Sequence, residues 1–196
     1  MRTKTPEIDQ RILDAAAQLF AGNHFHSVRM EDISAEADVG KGTLYRYFRD
    51  KEELYLALLS RAADQIRERV REIVSRQIEP IAKLVALVDT VVSFFDEQRH
   101  MFELIAQAEA SRGTNHPWQP ARDAIIAEVL DLFEEGKRLG LFVVRDPMIA
   151  ALVLLGGLRA VIRFGPNEKP GSFAKDLVNL VLFGASTRDV AVKYRP

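Results

Sequence analysis

Apolar residues recur every third or fourth position along most of this chain, and nowhere do they alternate over a useful length. That period brings side chains onto one face of a helix, whereas a half-buried strand needs alternation. The expected fold class is all-α, with about nine helices separated by proline and glycine breaks. Ile8, Ile12, Ala15, Ala16, Leu19 and Phe20 mark a first helix, with Pro6 in its first turn and Gly22-Asn23 at its end. Met30 to Ala37 and Lys41 to Phe48 form two short helices. Asp50 caps a long one whose stripe, Leu54 through Val70 and Ile73 to Gln77, runs to about Glu79. Pro80 opens a helix through Phe95, followed by helices over Arg99 to Ala110 and Ala121 to Arg138. Pro147 opens an apolar helix to about Phe164. After a break containing Pro166 and Pro170, Ser172 caps a last helix to Gly184.

Composition narrows the function classes. Hydrophobic residues make up 47% of the 196, enough for a real core, and the formal net charge is −1. Any affinity for nucleic acid must then come from a local basic patch. The absence of cysteine excludes disulfides, thiolate metal sites and a cysteine nucleophile. The first ten residues contain no apolar signal core. The longest apolar run, Met148 to Leu158, has eleven residues, against roughly 18 for a membrane span. A soluble, cytoplasmic protein with no membrane partner is expected.

The segment Met30 to Leu54 carries the chemistry. A helix that reads the major groove presents its first residues to base edges, keeps small residues at the close approach, and grips phosphates with flanking basic and hydroxyl groups. Between Gly40 and Arg49 there are three basic residues (Lys41, Arg46, Arg49) and no acid. Lys41 stands at the helix start, Gly42 admits close approach, and Thr43 can bond a base edge or a phosphate. Leu44 and Phe48 make the inward stripe, and Tyr45 and Tyr47 are expected to project outward toward phosphate. Lys51 is placed to bind the adjacent DNA backbone, and Arg29 a phosphate or the minor groove. Asp38 occupies the turn position that needs a positive φ, and Gly40 the N-cap. The run Gly40-Lys41-Gly42-Thr43 is not a nucleotide-binding loop, which needs a preceding strand and wider glycine spacing.

Asp32-Ile33-Ser34-Ala35-Glu36-Ala37-Asp38-Val39-Gly40-Lys41-Gly42-Thr43-Leu44-Tyr45-Arg46-Tyr47-Phe48-Arg49-Asp50-Lys51-Glu52-Glu53-Leu54 resembles the N-terminal domain of the TetR family of bacterial transcriptional regulators. The resemblance covers residues 8–55 or so. Asp38 stands where the family usually has Gly, and Gly40 where it usually has Ser. The resemblance implies a helix-turn-helix DNA-binding domain over residues 1–50 and a helical regulatory and dimerisation domain over 51–196. It implies a homodimer on palindromic double-stranded operator DNA, with reading helices roughly 34–36 Å apart. It further implies a repressor released by a small-molecule effector, with the long helix from Asp50 as the lever.

The remaining candidates are weaker. Phe95, Phe102, Trp118 and Phe133, with Phe94 beside them, could line an apolar pocket, with His100, Arg159 and Arg163 as polar anchors for an apolar or amphipathic effector. The Pro147 helix is apolar on nearly every face, so it must bury two sides. Leu155, Gly156 and Ala160 on it, with Leu177, Leu180 and Val181 on the last helix, are the expected dimer interface. His24 and His26 sit two apart in a loop with no third ligand nearby, so no metal is expected. No catalytic cluster and no cofactor motif stands out, and no enzyme activity is expected. Two rivals remain: a DNA-binding protein of the same fold without an effector, of a structural or cell-division type, and an all-α enzyme with a fortuitous motif.

Overall fold

A computed structural model describes residues 5–23, 25–76, 79–113, 115–165 and 171–183. Among these residues the chain forms nine helices and no strand: α1 (Pro6–Gly22), α2 (Met30–Glu36), α3 (Lys41–Tyr47), α4 (Lys51–Ser75), α5 (Pro80–Glu97), α6 (Arg99–Arg112), α7 (Gln119–Arg138), α8 (Pro147–Phe164) and α9 (Phe173–Phe183). Helix α4 stops at Ser75, short of the expected Glu79. There the Arg76 N–H turns back to the Ile73 carbonyl at 3.3 Å, tightening the last turn. Gln77, Gly184, Pro166 and Pro170 lie outside the described residues.

By contact the chain divides into two compact units, Met1–Arg67 with Glu97–Arg122, and Glu68–Asp96 with Asp123–Pro196. The division falls inside α4 and inside α7, whereas the motif places its boundary after residue 50. The first turns of α4 and all of α6 complete the core around the three N-terminal helices. In the first unit, Ile12, Ala16, Ile33, Leu44, Leu54, Leu59, Ile66 and Ala108 have no exposed surface. Helices α2 and α3 have seven residues each, too short to persist alone. Their buried side chains hold them, each contributing about 1.5–3 kcal/mol. The α4 cap forms as the Asp50/Glu53 spacing predicts. Asp50 Oδ1 accepts from the Glu53 N–H at 2.8 Å, and Glu53 Oε2 accepts from the Arg49 N–H at 2.7 Å.

The second unit is centred on Leu84, Leu87 and Val88 of α5, Val129 and Phe133 of α7, and Leu154 and Leu158 of α8. Gly136 lets α7 meet its own return loop, because a Cβ there would overlap the Phe142 ring. Asp146 caps α8 through its carboxylate, which accepts from Met148 and Ile149 N–H at 2.9 and 3.3 Å. Helix α8 is long and apolar enough, by length and composition alone, to cross a membrane, yet only 17% of it is buried in the single chain.

Candidate nucleic-acid interface

The turn between α2 and α3 is built as its sequence predicts. Asp38 takes φ 47°, the left-handed region, and is the one non-glycine residue with positive φ among those described. Gly40 is extended at the N-cap of α3. The Val39 N–H donates to the Ser34 carbonyl at 3.0 Å, and Ser34 Oγ donates to the Val39 carbonyl at 2.7 Å. A residue that the sequence reading passed over completes the turn. Arg11 of α1 donates from Nη2 to the Ala37 and Asp38 carbonyls at 2.7 and 2.8 Å.

Helix α3 with its C-cap Phe48 buries Leu44, Tyr47 and Phe48 and exposes Lys41, Gly42, Tyr45 and Arg46, with Thr43 half-buried. Tyr47 therefore corrects the expectation that both tyrosines face outward. Successive helical residues are turned by roughly 100°, so positions 45 and 47 cannot share a face, while 44, 47 and 48 must. The Tyr47 hydroxyl accepts the Thr5 backbone N–H at 2.6 Å and contacts Thr5 Oγ1 at 3.2 Å. That bonding, with Arg46 close by, lowers the phenol below its ordinary range.

Lys51 also turns inward. Its ammonium donates to the carbonyls of Phe25, Val28 and His26 at 2.8, 2.9 and 3.4 Å and sits 4.5 Å from the Phe25 ring centre. An ammonium has three protons, so these carbonyls take the donors that were assigned to phosphate. Burial lowers its pKa. His26 is exposed, and its partner in the expected pair, His24, lies outside the described residues.

The outward face keeps its charge. Lys41 pairs with Glu31 at 2.6 Å, both ends in solvent, and its ammonium lies 5.9 Å from the Tyr45 ring centre. The pair lowers the Glu31 carboxyl and raises the Lys41 ammonium, the mutual hydrogen bond being the main cause. Tyr45 is 41% exposed. A Cβ added at Gly42 would meet nothing within 4 Å, so nothing inside the protein requires glycine there. Arg29 is exposed, and its N–H donates to the Asp32 carboxylate at 2.9 Å, starting α2.

The pocket candidates fall in both units. In the first, Trp118 is buried, Phe102 half-buried, and His100 borders a hollow of about 400 Å³ with Phe20, Asn23, Ser27 and Glu103. His100 Nε2 and both His116 ring nitrogens are buried without a hydrogen-bond partner. Burial holds both imidazoles below 6.5, helped by Arg61 at His100; at His116, Arg122 adds to the lowering and Glu109 opposes it. In the second unit, Phe95 and Phe133 are core residues. Arg159 and Arg163 are exposed on α8, apart from these core aromatics. They follow Leu152 and Gly156 at helical spacing on the outer face.

That outer face carries the interface candidates. Gly156, Ala160 and Leu180 are exposed, and Leu155, Leu177 and Val181 half-buried. Leu177 approaches Gly157 within α8–α9 packing. Further exposed apolar side chains on α8 and α9 were not in the expected set: Ile149 at 60%, Leu152 at 51%, Val153 at 57%, Phe164 at 81% and Phe183 at 67%. The apolar run of α8 was readable, but its outward face is decided by how α8 packs.

Residues 12–58 match the family described as bacterial regulatory proteins, tetR family. The fatty acid metabolism regulator protein of Bacillus subtilis is 29% identical over 109 residues, 56% of this chain and 55% of the relative. The HTH-type transcriptional activator FasR of Mycolicibacterium smegmatis is 32% identical over 95 residues, 48% of this chain and 43% of the relative. The chain thus spans about half the length of these two relatives. An uncharacterized HTH-type regulator of Bacillus subtilis, YdgC, is 27% identical over 94% of this chain and 95% of its own. Two solved structures share the fold. The fatty acid degradation regulator FadR of Bacillus halodurans has a TM-score of 0.78 and 23% identity, covering 95% of this chain and 100% of its own. FadR of Bacillus subtilis, in complex with stearoyl-CoA, has a TM-score of 0.74 and 20% identity, covering 90% of this chain and 99% of its own.

Proposed function

We propose, from a chain whose residues 12–58 place it in the tetR family of bacterial regulatory proteins, that this DNA-binding transcriptional regulator is a homodimeric, cytoplasmic repressor released from a palindromic operator by a small molecule. The observation that carries the DNA reading is the outward face of α3. It presents Lys41, Gly42, Thr43, Tyr45 and Arg46 with no acid between Gly40 and Arg49, and Gly42 opens onto empty space. Arg29 adds a cation at the start of α2. Thr43 and Arg46 read bases, Lys41, Tyr45 and Arg29 hold phosphates, and Tyr47 and Lys51 position the unit from inside. Residues 1–50 do the reading, and residues 51–196 regulate and dimerise.

The homodimer reading rests on the apolar face of α8 and α9. Ile149, Leu152, Val153, Gly156 and Ala160 follow one another at helical spacing, with Leu180 and Phe183 on α9. An apolar stripe of this kind on a single chain marks an association surface. Four helices from two copies would cover it and set the spacing of the reading helices.

Support for the effector class comes from the names of the relatives: one is a fatty acid metabolism regulator, and another is in complex with stearoyl-CoA. An acyl thioester of coenzyme A is the amphipathic, anionic ligand this points to. It acts by population shift, and about 1.4 kcal/mol of preference for the non-matching dimer geometry weakens DNA binding tenfold. Selection of bound duplexes from a random pool tests the first step, and failure to enrich a palindrome would sink it. Stearoyl-CoA, stearate and free coenzyme A are then added to the complex. Release by the thioester alone supports the effector class, and indifference to all three returns the chain to the effectorless reading.

A further inference from the structure

The guanidinium of Arg11 belongs to none of the groups assigned to DNA, yet it rests on the turn that aims α3. We propose that Arg11 is a positioning residue for the reading helix, holding from α1 the left-handed turn at Asp38. The consequence for operator affinity rests on the DNA-binding reading above.

The geometry is specific. Arg11 Nη2 lies 2.7 Å from the Ala37 carbonyl, 2.8 Å from the Asp38 carbonyl and 3.4 Å from Asp38 Oδ2. One guanidinium nitrogen carries two protons, so the carbonyls take both and the carboxylate contributes an ion pair at longer range. The Ala37 carbonyl belongs to the end of α2, where helices leave acceptors without an internal donor. Ser34 Oγ serves the next carbonyl, that of Val39. Three successive carbonyls of the turn thus each receive a side-chain donor.

The turn needs this support because its conformation is costly for the residue it carries. A Cβ disfavours the left-handed region, and glycine escapes that cost. The Asp38 side chain is fully exposed, so no packing of its own keeps it there. Helix α1 is an independent anchor: Arg61 of α4 donates to Asp14 Oδ1 at 2.7 Å. Lys41 begins α3 three residues after Asp38, so any relaxation of the Asp38 dihedrals swings the face that carries Lys41, Gly42 and Thr43.

The test uses the full chain with Arg11→Met, which keeps the apolar stem and removes the donors, Asp38→Gly, which removes the dihedral cost, and the double variant. The first readout is amide hydrogen exchange without DNA at Asp38 and Val39, whose N–H groups donate to Ala35 and Ser34 carbonyls. Arg11→Met is expected to speed exchange there about tenfold, the scale of hydrogen bonds from a charged donor, with α4 unchanged. The double variant is expected to regain protection. The second readout is affinity for a duplex enriched by the wild type. Arg11→Met should weaken binding about tenfold with the salt slope unchanged, and Asp38→Gly should rescue it. Unchanged exchange in Arg11→Met overturns the proposal. So does a salt slope reduced by about one, which would make Arg11 a phosphate contact. If the wild type enriches no duplex, the DNA reading fails and exchange still decides the clamp.

Discussion

The Tyr47 hydroxyl accepts the backbone N–H of Thr5 at 2.6 Å, so the last residue of the reading helix fastens the N-cap residue of α1. Its neighbour Tyr45, two positions back, lies in solvent. The two tyrosines should separate cleanly on losing their hydroxyls. Tyr47→Phe is expected to cost about 1 kcal/mol of stability, the net worth of one part-buried hydrogen bond, and to lower DNA affinity only through that loosening. Tyr45→Phe should leave the urea midpoint unchanged and weaken DNA binding on every sequence alike, as loss of a phosphate contact does. Equal stabilities of the two variants would refute the assignment.

Gly42 offers a second separation of fold from function. With nothing within 4 Å of an added Cβ, Gly42→Ala meets no clash in the protein and gains up to about 1 kcal/mol in helix propensity. The variant should melt at or above the wild-type temperature. On DNA the extra methyl stands between helix and groove, and affinity for an enriched palindrome should fall. A variant that binds as tightly as wild type would remove Gly42 from the contact surface.

Much of this architecture was readable because it rests on local chemistry. Asp38 at the positive-φ turn, Gly40 at the cap and the Asp50/Glu53 capping pair each depend on residues a few positions apart. Tyr47 was misplaced although the information was present, since helical phase puts it with Leu44 and Phe48. Lys51 and Arg11 could not be placed from sequence. Their partners lie more than twenty positions away, at Phe25 to Val28 and Ala37 to Asp38, and a surface cation carries no periodic signal for such a bond. The same limit applied to α8: its apolar character was evident, but the exposure of Ile149, Leu152 and Val153 depends on which side α9 covers.

That exposed stripe gives a third prediction. Val153, 57% exposed, can become Asp without burying a charge in the single chain. In a dimer packed through α8, the two introduced carboxylates would be desolvated near each other, a cost of several kcal/mol. Val153→Asp should therefore run as a monomer in sedimentation while keeping its helical circular dichroism. It should also lose affinity for a full palindrome far more than for a half-site. An unchanged dimer would move the interface off this face.

His116, which is buried, and His100, half-buried with its Nε2 enclosed, predict an acid-side loss of stability. Burial lowers the folded pKa of His100 and His116 from 6.5. Below 6.5 the unfolded chain takes up protons that the folded chain does not, so stability falls as pH drops through that value. The fall levels off only beneath the depressed folded pKa values. Asp50 acts in a lower window. Its carboxyl is held below 3.8, chiefly by the Glu53 N–H, so its contribution persists above 3.8 and fades beneath. Replacing His116, whose ring nitrogens have no partner, with Leu should flatten the first window. Urea unfolding at a series of pH values would show a shallower slope just below 6.5 and an unaltered one near 3.8. A slope unchanged just below 6.5 would mean that His116 protonates as readily in the folded chain as in the unfolded one.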